Sequence, residues 1–354
     1  MKKHFEKEEK KQKKSKRNKK TPVQPQPFKM GGATGRTQLG VYRRLFELYD
    51  EHQNAPESER GQSRVDFSNV EIYFLDEYFG AAPLYYSYAR QHLRVGKGGF
   101  HADNIWVPRG CFFAPVRTGG RLVNSDMLDA ILAQTTGQWK ERFEVGEDDE
   151  RHEKPEIFIK PEATHPVLKK IRRSNRAYHK RVCTRGKGRI ALLGLGTHGH
   201  IGFVECGAAP PLSDPDDKES KWKGKSEVML VRLSARTQSD NEADFLLTNG
   251  DGNRADLEES RYAITQGIDT IMSAGELLLA AHGGKKAPAV KRMLLDNPGP
   301  QNPAGFIQRH KKVRVYLDLA AFGDLQPEEL AGRGYEVRRS EKVQQLQATA
   351  PGTA

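Results

Sequence analysis

Residues 189–205 read RIALLGLGTHGHIGFVE, and this run limits the fold more than any other. An apolar stretch, Ile190 to Leu195, passes into glycines that carry His198 and His200, with Glu205 just beyond. Short apolar runs of this kind suit strands buried on both faces, as in a parallel sheet covered by helices. Such sheets present their chemistry beyond the carboxyl ends of the strands. The Gly196–Glu205 turn is therefore expected at a strand tip.

The chain alternates in the same manner elsewhere. Val70, Ile72 and Phe74 alternate in a short strand that ends at Leu75-Asp76-Glu77-Tyr78, so two acids and a phenol emerge where it stops. Further strands are expected around Ile190–Leu195, Val228–Leu233, Leu277–Ala281 and Val313–Leu317. Helical patterns cover Leu39 to Tyr49, Leu84–Leu93, Leu122–Phe143 and the segment around Val167 and Tyr178. This spacing predicts an α/β protein, a three-layer α/β/α sandwich with a mainly parallel, Rossmann-like sheet. Length alone permits one domain or two. The boundaries expected are a basic tail and linker over 1–27, a single α/β domain over 28–338 with an expanded region at 109–188, and a tail over 339–354. Glu147–Glu156 and Ser213–Ser226 read as surface loops, and the second is placed to serve as a lid.

Charge is unevenly distributed. Of the net +12, residues 1–20 carry +8 through eleven Lys or Arg against three Glu. That tail has too little apolar content to offset the entropy of ordering it and is expected to stay solvated, with nonspecific contact with polyanions as the alternative. A second cluster, from Lys169 to Arg181, reads as the solvent face of a helix. Three widely spaced cysteines match no zinc signature and suit a reduced compartment, with Cys206 the candidate for a functional thiol. No run approaches the roughly 18 apolar residues of a membrane span, and the amino terminus lacks a signal-peptide core. A cytoplasmic protein without membrane contact is expected.

Gly31-Gly32-Ala33-Thr34-Gly35-Arg36-Thr37 reads as a polar turn before a helix that Thr37 can cap. Backbone N–H groups there, with Thr34, Arg36 and Thr37, suit a phosphate. The turn is neither a GxxxxGK[ST] loop nor a GxGxxG fingerprint. Together the strand-end groups outline one site: Asp76, His198, His200 and Glu205, with anion-binding groups from Gly31–Thr37 and Gly284-Lys285-Lys286. A carboxylate such as Asp76 can move a carbon-bound proton beside a carbonyl, and a histidine serves acid–base chemistry near neutral pH. His198-Gly199-His200 with Glu205 or Cys206 is the alternative of a metal site, for which the spacing is weak.

Four blocks, GGATGRTQLGVYRRL at 31–45, NVEIYFLDEYFG at 69–80, the 189–205 run, and RYAITQGIDTIMSAGELLLAAHGGKKAPAVKRML at 261–294, resemble the glucosamine-6-phosphate deaminase family, within the wider group that includes 6-phosphogluconolactonases. The resemblance spans roughly residues 28–320. It implies an enzyme that converts glucosamine 6-phosphate and water to fructose 6-phosphate and ammonia, with no cofactor and no metal. On this chain it makes Asp76 the base between C2 and C1, His200 the ring-opening acid–base group, Glu205 its positioning acid, and Thr34, Gly35, Arg36, Thr37 and Lys286 the phosphate site.

Three departures stand against it. His198 replaces an acid. Gln238 stands where an arginine is expected, with Arg236 two residues away; that exchange loses a charge and a bidentate fork. Pro22, Pro25 and Pro27 make a poor central strand, so the sheet is expected to begin irregularly or to lack that strand. The leading expectation is a sugar-phosphate isomerase or deaminase acting on a phosphorylated amino sugar. The alternatives are a phosphosugar lactone hydrolase and a non-catalytic sugar-phosphate sensor.

Overall fold

The computed structural model describes residues 27–56, 67–80, 84–116, 119–142, 156–185, 188–206, 226–235, 237–239 and 260–340. In chain order the strands are β1 (Phe28–Gly32), β2 (Val70–Phe74), β3 (Asp76–Tyr78), β4 (Ile105–Trp106), β5 (Phe113–Val116), β6 (Gly119–Leu122) and β7 (Trp139–Arg142). They continue with β8 (Glu156–Ile159), β9 (Ile190–Gly194), β10 (Val228–Arg232), β11 (Tyr262–Gln266), β12 (Glu276–Ala281) and β13 (Val313–Leu317).

The main sheet is parallel throughout, in the order β13-β12-β9-β1-β2-β4. Helices cover both faces. On one side Tyr42 and Phe46 of the helix Arg36–Asn54 and Tyr88 of the helix Leu84–His92 pack on Met30, Ile72 and Phe74. On the other, Ile271 of the helix Ile268–Met272 and Val290 and Met293 of the helix Ala287–Leu295 pack on Leu193, Leu277 and Leu279. Burying each large apolar side chain contributes about 1.5–3 kcal/mol, so strands apolar on both faces belong between these layers. The result is the α/β sandwich that the alternation predicts.

The sheet does not begin irregularly. β1 starts immediately after Pro27 and occupies a central place, pairing with β2 and β9. Phe28 opens it, and Gly31 and Gly32 are its last two residues rather than a turn. Their reason is packing: a Cβ on Gly31 would stand 3.1 Å from Ala191 Cα, and one on Gly32 2.9 Å from Ile72 Cδ1.

A second sheet, β3-β11-β10-β8-β7, is antiparallel and was not legible in the alternation. β10, expected in the parallel sheet, belongs here. Its residues alternate between two cores, Val228 and Leu230 facing one and Met229 and Val231 the other. A strand apolar on both faces carries no mark of its sheet. The helix expected over Leu122–Phe143 is Ser125–Gln134, capped where Asn124 Oδ1 accepts from Met127 N at 3.0 Å. Gly137, at φ 92°, turns the chain into β7. Glu156 and Ser226, read as loop ends, are buried; Glu156 opens β8 and Ser226 N–H donates to Asp269 at 2.6 Å. Residues 1–26 and 341–354 of the two tails, the rest of those two loops and Arg236 lie outside the described residues. Among the described residues no helix is long and apolar enough to cross a membrane.

Candidate active site

The chain changes sheets at Leu75. Its N–H donates to Gly32 O in the parallel sheet at 3.0 Å, and its carbonyl accepts from Gln266 N in the antiparallel one at 2.7 Å. Asp76 follows as the first residue of β3, opposite Thr265. It is 5% exposed, and burial pushes its carboxyl up to about 7. Desolvation disfavours the charged form, and proton transfer near neutral pH is served by a group poised there.

Glu77 has a different task. Its carboxylate accepts from the N–H groups of Tyr78, Tyr85 and Tyr86 at 3.0, 3.0 and 3.1 Å, closing the amino end of the helix Leu84–His92. Burial raises it to about 8 against the downward pull of those three bonds.

The Gly196–Glu205 turn lies against Asp76. A Cβ on Gly202, at φ 58°, would stand 3.2 Å from Asp76 Oδ2 and 2.9 Å from Thr265 Oγ1. Phe203 N–H donates to the same Thr265 hydroxyl at 3.1 Å. Within the turn Gly196 N–H donates to His200 O at 2.9 Å, and the His200 ring fills the space a Gly196 Cβ would take. Two outside elements hold it: Ala304 N–H donates to Gly199 O at 3.2 Å, and Arg292 to His198 O at 3.1 Å. His198 Nδ1 lies 3.0 Å from Thr197 Oγ1. Glu205 Oε2 accepts from Ser234 N at 3.3 Å, fastening the turn to the segment after β10. On that segment Gln238 folds its amide onto Leu233 O at 3.0 Å.

The phosphate-type loop is shorter than its glycines suggest, running from Ala33 to Gly35. Gly35, at φ 95°, occupies the cap position of the helix Arg36–Asn54, and Thr37 sits inside the first turn and caps nothing. Three aromatic rings join loop, acid and turn. Tyr85 bonds to Thr34, its ring centroid lies 5.2 Å from that of Tyr78, and it stacks on Phe203 at 6.1 Å. Neither Tyr85 nor Phe203 was singled out from the sequence. The signal was the aromatic pair Tyr85-Tyr86 directly after the acidic strand end.

Lys286 is half-buried and closes the short turn Gly284–Lys286 after β12. An open depression of about 660 Å³ adjoins the loop, lined by residues that include Thr37, Arg43, His92, His282 and Asp318 but not Asp76, His200 or Lys286. Among the described residues no three His, Cys, Asp or Glu side chains are grouped to hold a metal ion. Cys206 lies 3.4 Å from Gln301 O, and burial pushes its thiol up, away from the nucleophilic thiolate.

No sequence profile of a known protein family matches the chain. The glucosamine-6-phosphate deaminase of Clostridium acetobutylicum is 25% identical over 295 residues, covering 82% of this chain and 86% of the relative. That of Rhodopirellula baltica is 28% identical over 296 residues, 82% of each. A solved monomeric glucosamine-6-phosphate deaminase, described as a missing link of the NagB superfamily, superposes with a TM-score of 0.53 at 23% identity, over 83% of this chain and 87% of that one. The fold is thus that of the solved deaminase. The chain is a distant homologue of the glucosamine-6-phosphate deaminases.

Proposed function

We propose that the protein is a sugar-phosphate isomerase that deaminates glucosamine 6-phosphate or a closely related phosphorylated amino sugar. The observation that carries this reading is the buried carboxyl of Asp76, raised to about 7, with Gly202 of the histidine turn packed against it. A base of that pKa is half-ionised near neutrality, as moving a sugar C2 proton requires. His200 opens the ring, Asp76 takes the C2 proton and returns it to C1, and the C2 amine becomes an imine. Water adds to that imine, leaving a ketose phosphate and ammonia. Glu205 positions His200. Thr34, Gly35, Arg36, Thr37 and Lys286 hold the phosphate.

His198 and Gln238 define what is particular to this chain. Where an acid would favour imidazolium at His200, a histidine does not. The Gln238 amide, bonded to Leu233 O, brings no charge to the phosphate. Weak phosphate affinity is therefore expected, with Lys286 and the loop carrying most of it.

The test is incubation with glucosamine 6-phosphate and, separately, with 6-phosphogluconolactone. Ammonia and ketose phosphate in equal amounts, abolished by Asp76→Asn, are expected. Selective hydrolysis of the lactone, or saturable binding of several amino-sugar phosphates with no product from any, overturns the proposal.

A further inference from the structure

The helix Pro166–Arg185 carries eight Lys or Arg in twenty residues and no Asp or Glu. Its apolar stripe of Val167, Leu168, Ile171, Tyr178 and Val182 is buried against the second sheet. The cations are left on the outer face: Lys169, Lys170, Arg173, Arg176, Lys180 and Arg185 are exposed, and Arg172 and Arg181 half so. Among the described residues none of the eight pairs with a carboxylate. Lys170 donates to Phe113 O at 3.2 Å, and Arg181 lies 3.7 Å over the Trp106 ring.

The other long helix, Arg36–Asn54, behaves differently. Arg43 and Arg44 there meet Glu47, and Arg44 also meets Glu51 at 2.9 Å. On Pro166–Arg185 the row Lys169, Arg173, Arg176 and Lys180 repeats cations three and four residues apart, the spacing at which like charges on a helix repel. Solubility is served by faces of mixed sign. Among the described residues no carboxylate offsets this one-signed row, and an external anion would relieve it.

We propose that this face binds the phosphate backbone of a nucleic acid. Twenty helical residues extend about 30 Å, with cations following one another at about 5–6 Å, which suits a linear row of phosphates rather than one compact anion. Five of the eight are Arg, whose fork matches phosphate oxygens. A membrane surface is a poorer fit. Helices that lie on bilayers present an apolar face to them, whereas this one has its apolar stripe buried and shows outward only small or polar residues, such as Ala177 and Thr184, between the cations.

The test measures binding of the full chain to labelled RNA and duplex DNA of about twenty nucleotides across a range of salt. In the full chain, the combined K169E, R173E, R176E and K180E variant is expected to bind at least about tenfold more weakly near 0.1 M salt. For the RNA its log–log salt slope should fall by about 3, four contacts at about 0.7 each. Unfolding midpoints of native and variant chains check that the helix still forms, and the four glutamine substitutions should give a smaller loss in the same direction. Undiminished binding by both variants, with loss only on neutralising the Lys and Arg of residues 1–20, overturns the proposal. Failure of the native chain to bind either nucleic acid does so too, as does charge-sensitive binding to phosphatidylserine vesicles alone.

Discussion

The two ends of the parallel sheet treat their ionisable groups in opposite ways. At the carboxyl ends Asp76 is buried and Cys206 half-buried, and both are pushed toward their neutral forms. At the amino end of β9 stands Arg189, 1% exposed, which meets no carboxylate among the described residues. It donates to Thr270 O at 2.8 Å and to Ser273 Oγ at 3.1 Å, and burial lowers it to about 10, so it remains cationic. Cys183 lies 3.6 Å from the same Ser273 hydroxyl and 3.6 Å from His179 Nδ1. Burial raises its thiol, yet hydrogen bonding with His179 and Ser273 and the nearby positive charge bring it below its ordinary value. Burial alone raises an acid's pKa, whereas hydrogen-bond partners and a cation beside it can outweigh burial and lower it.

The largest effect expected is at the first end. Asp76→Asn keeps the volume and removes the proposed base, so turnover of glucosamine 6-phosphate should fall by about 10²–10⁴. In the native chain kcat/KM should rise as pH passes through about 7, where Asp76 ionises. A rate insensitive to this substitution would remove Asp76 from the chemistry and leave its raised pKa a consequence of packing.

The same substitution sharpens the comparison through stability. Asp76 has a folded pKa of about 7 against an ordinary 3.8, so between those values the folded state binds more protons than the unfolded. Stability therefore falls as pH rises from about 4 to about 7. Asp76→Asn should remove that slope and stabilise the protein above pH 7 by on the order of 2–4 kcal/mol, with little difference near pH 4. Urea midpoints at the two pH values measure it. A variant equally destabilised at both would show that the carboxyl is held by contacts rather than merely desolvated.

At the other end the expected effect is about tenfold. Iodoacetamide near neutral pH should alkylate Cys183 faster than Cys206 or Cys111, since burial raises both of the latter thiols. His179→Asn should erase much of the advantage. Equal rates at all three cysteines would break the comparison.

These contrasts also mark what the sequence could disclose. Asp76 and the histidine turn were legible because each ends an apolar run, and a run that stops at polar residues has a location as well as a pattern. β1 was misread because Gly-Gly ordinarily signals a turn, whereas Gly31 and Gly32 are needed so that neighbouring side chains and strands can close. The antiparallel sheet was invisible because pairs such as Asp76 with Thr265 join residues far apart in the chain. Glu77 looked equivalent to Asp76 until its three backbone donors appeared. Cys183 and His179 sit four apart on a basic helix, but Ser273 and Arg189, which add to the lowering of the Cys183 thiol, arrive from other elements.

Tyr85 gives the smallest effect and the finest test of how the carboxyl end is assembled. Its hydroxyl bonds to Thr34, and its ring stacks on Phe203 of the histidine turn. Tyr85→Phe keeps the stacking and deletes the hydroxyl's bonds to Thr34 and Tyr78, each contributing about 0.5–1.5 kcal/mol. If Thr34 holds phosphate, loosening it should raise KM by a factor of about 2–10 while kcat and the pH profile of Asp76 stay in place. Tyr85→Leu removes the ring as well, and should lower kcat because Phe203 then loses its support beside Gly202 and Asp76. A fall in kcat already in Tyr85→Phe would mean that the hydroxyl, rather than the ring, transmits the position of the loop to the acid.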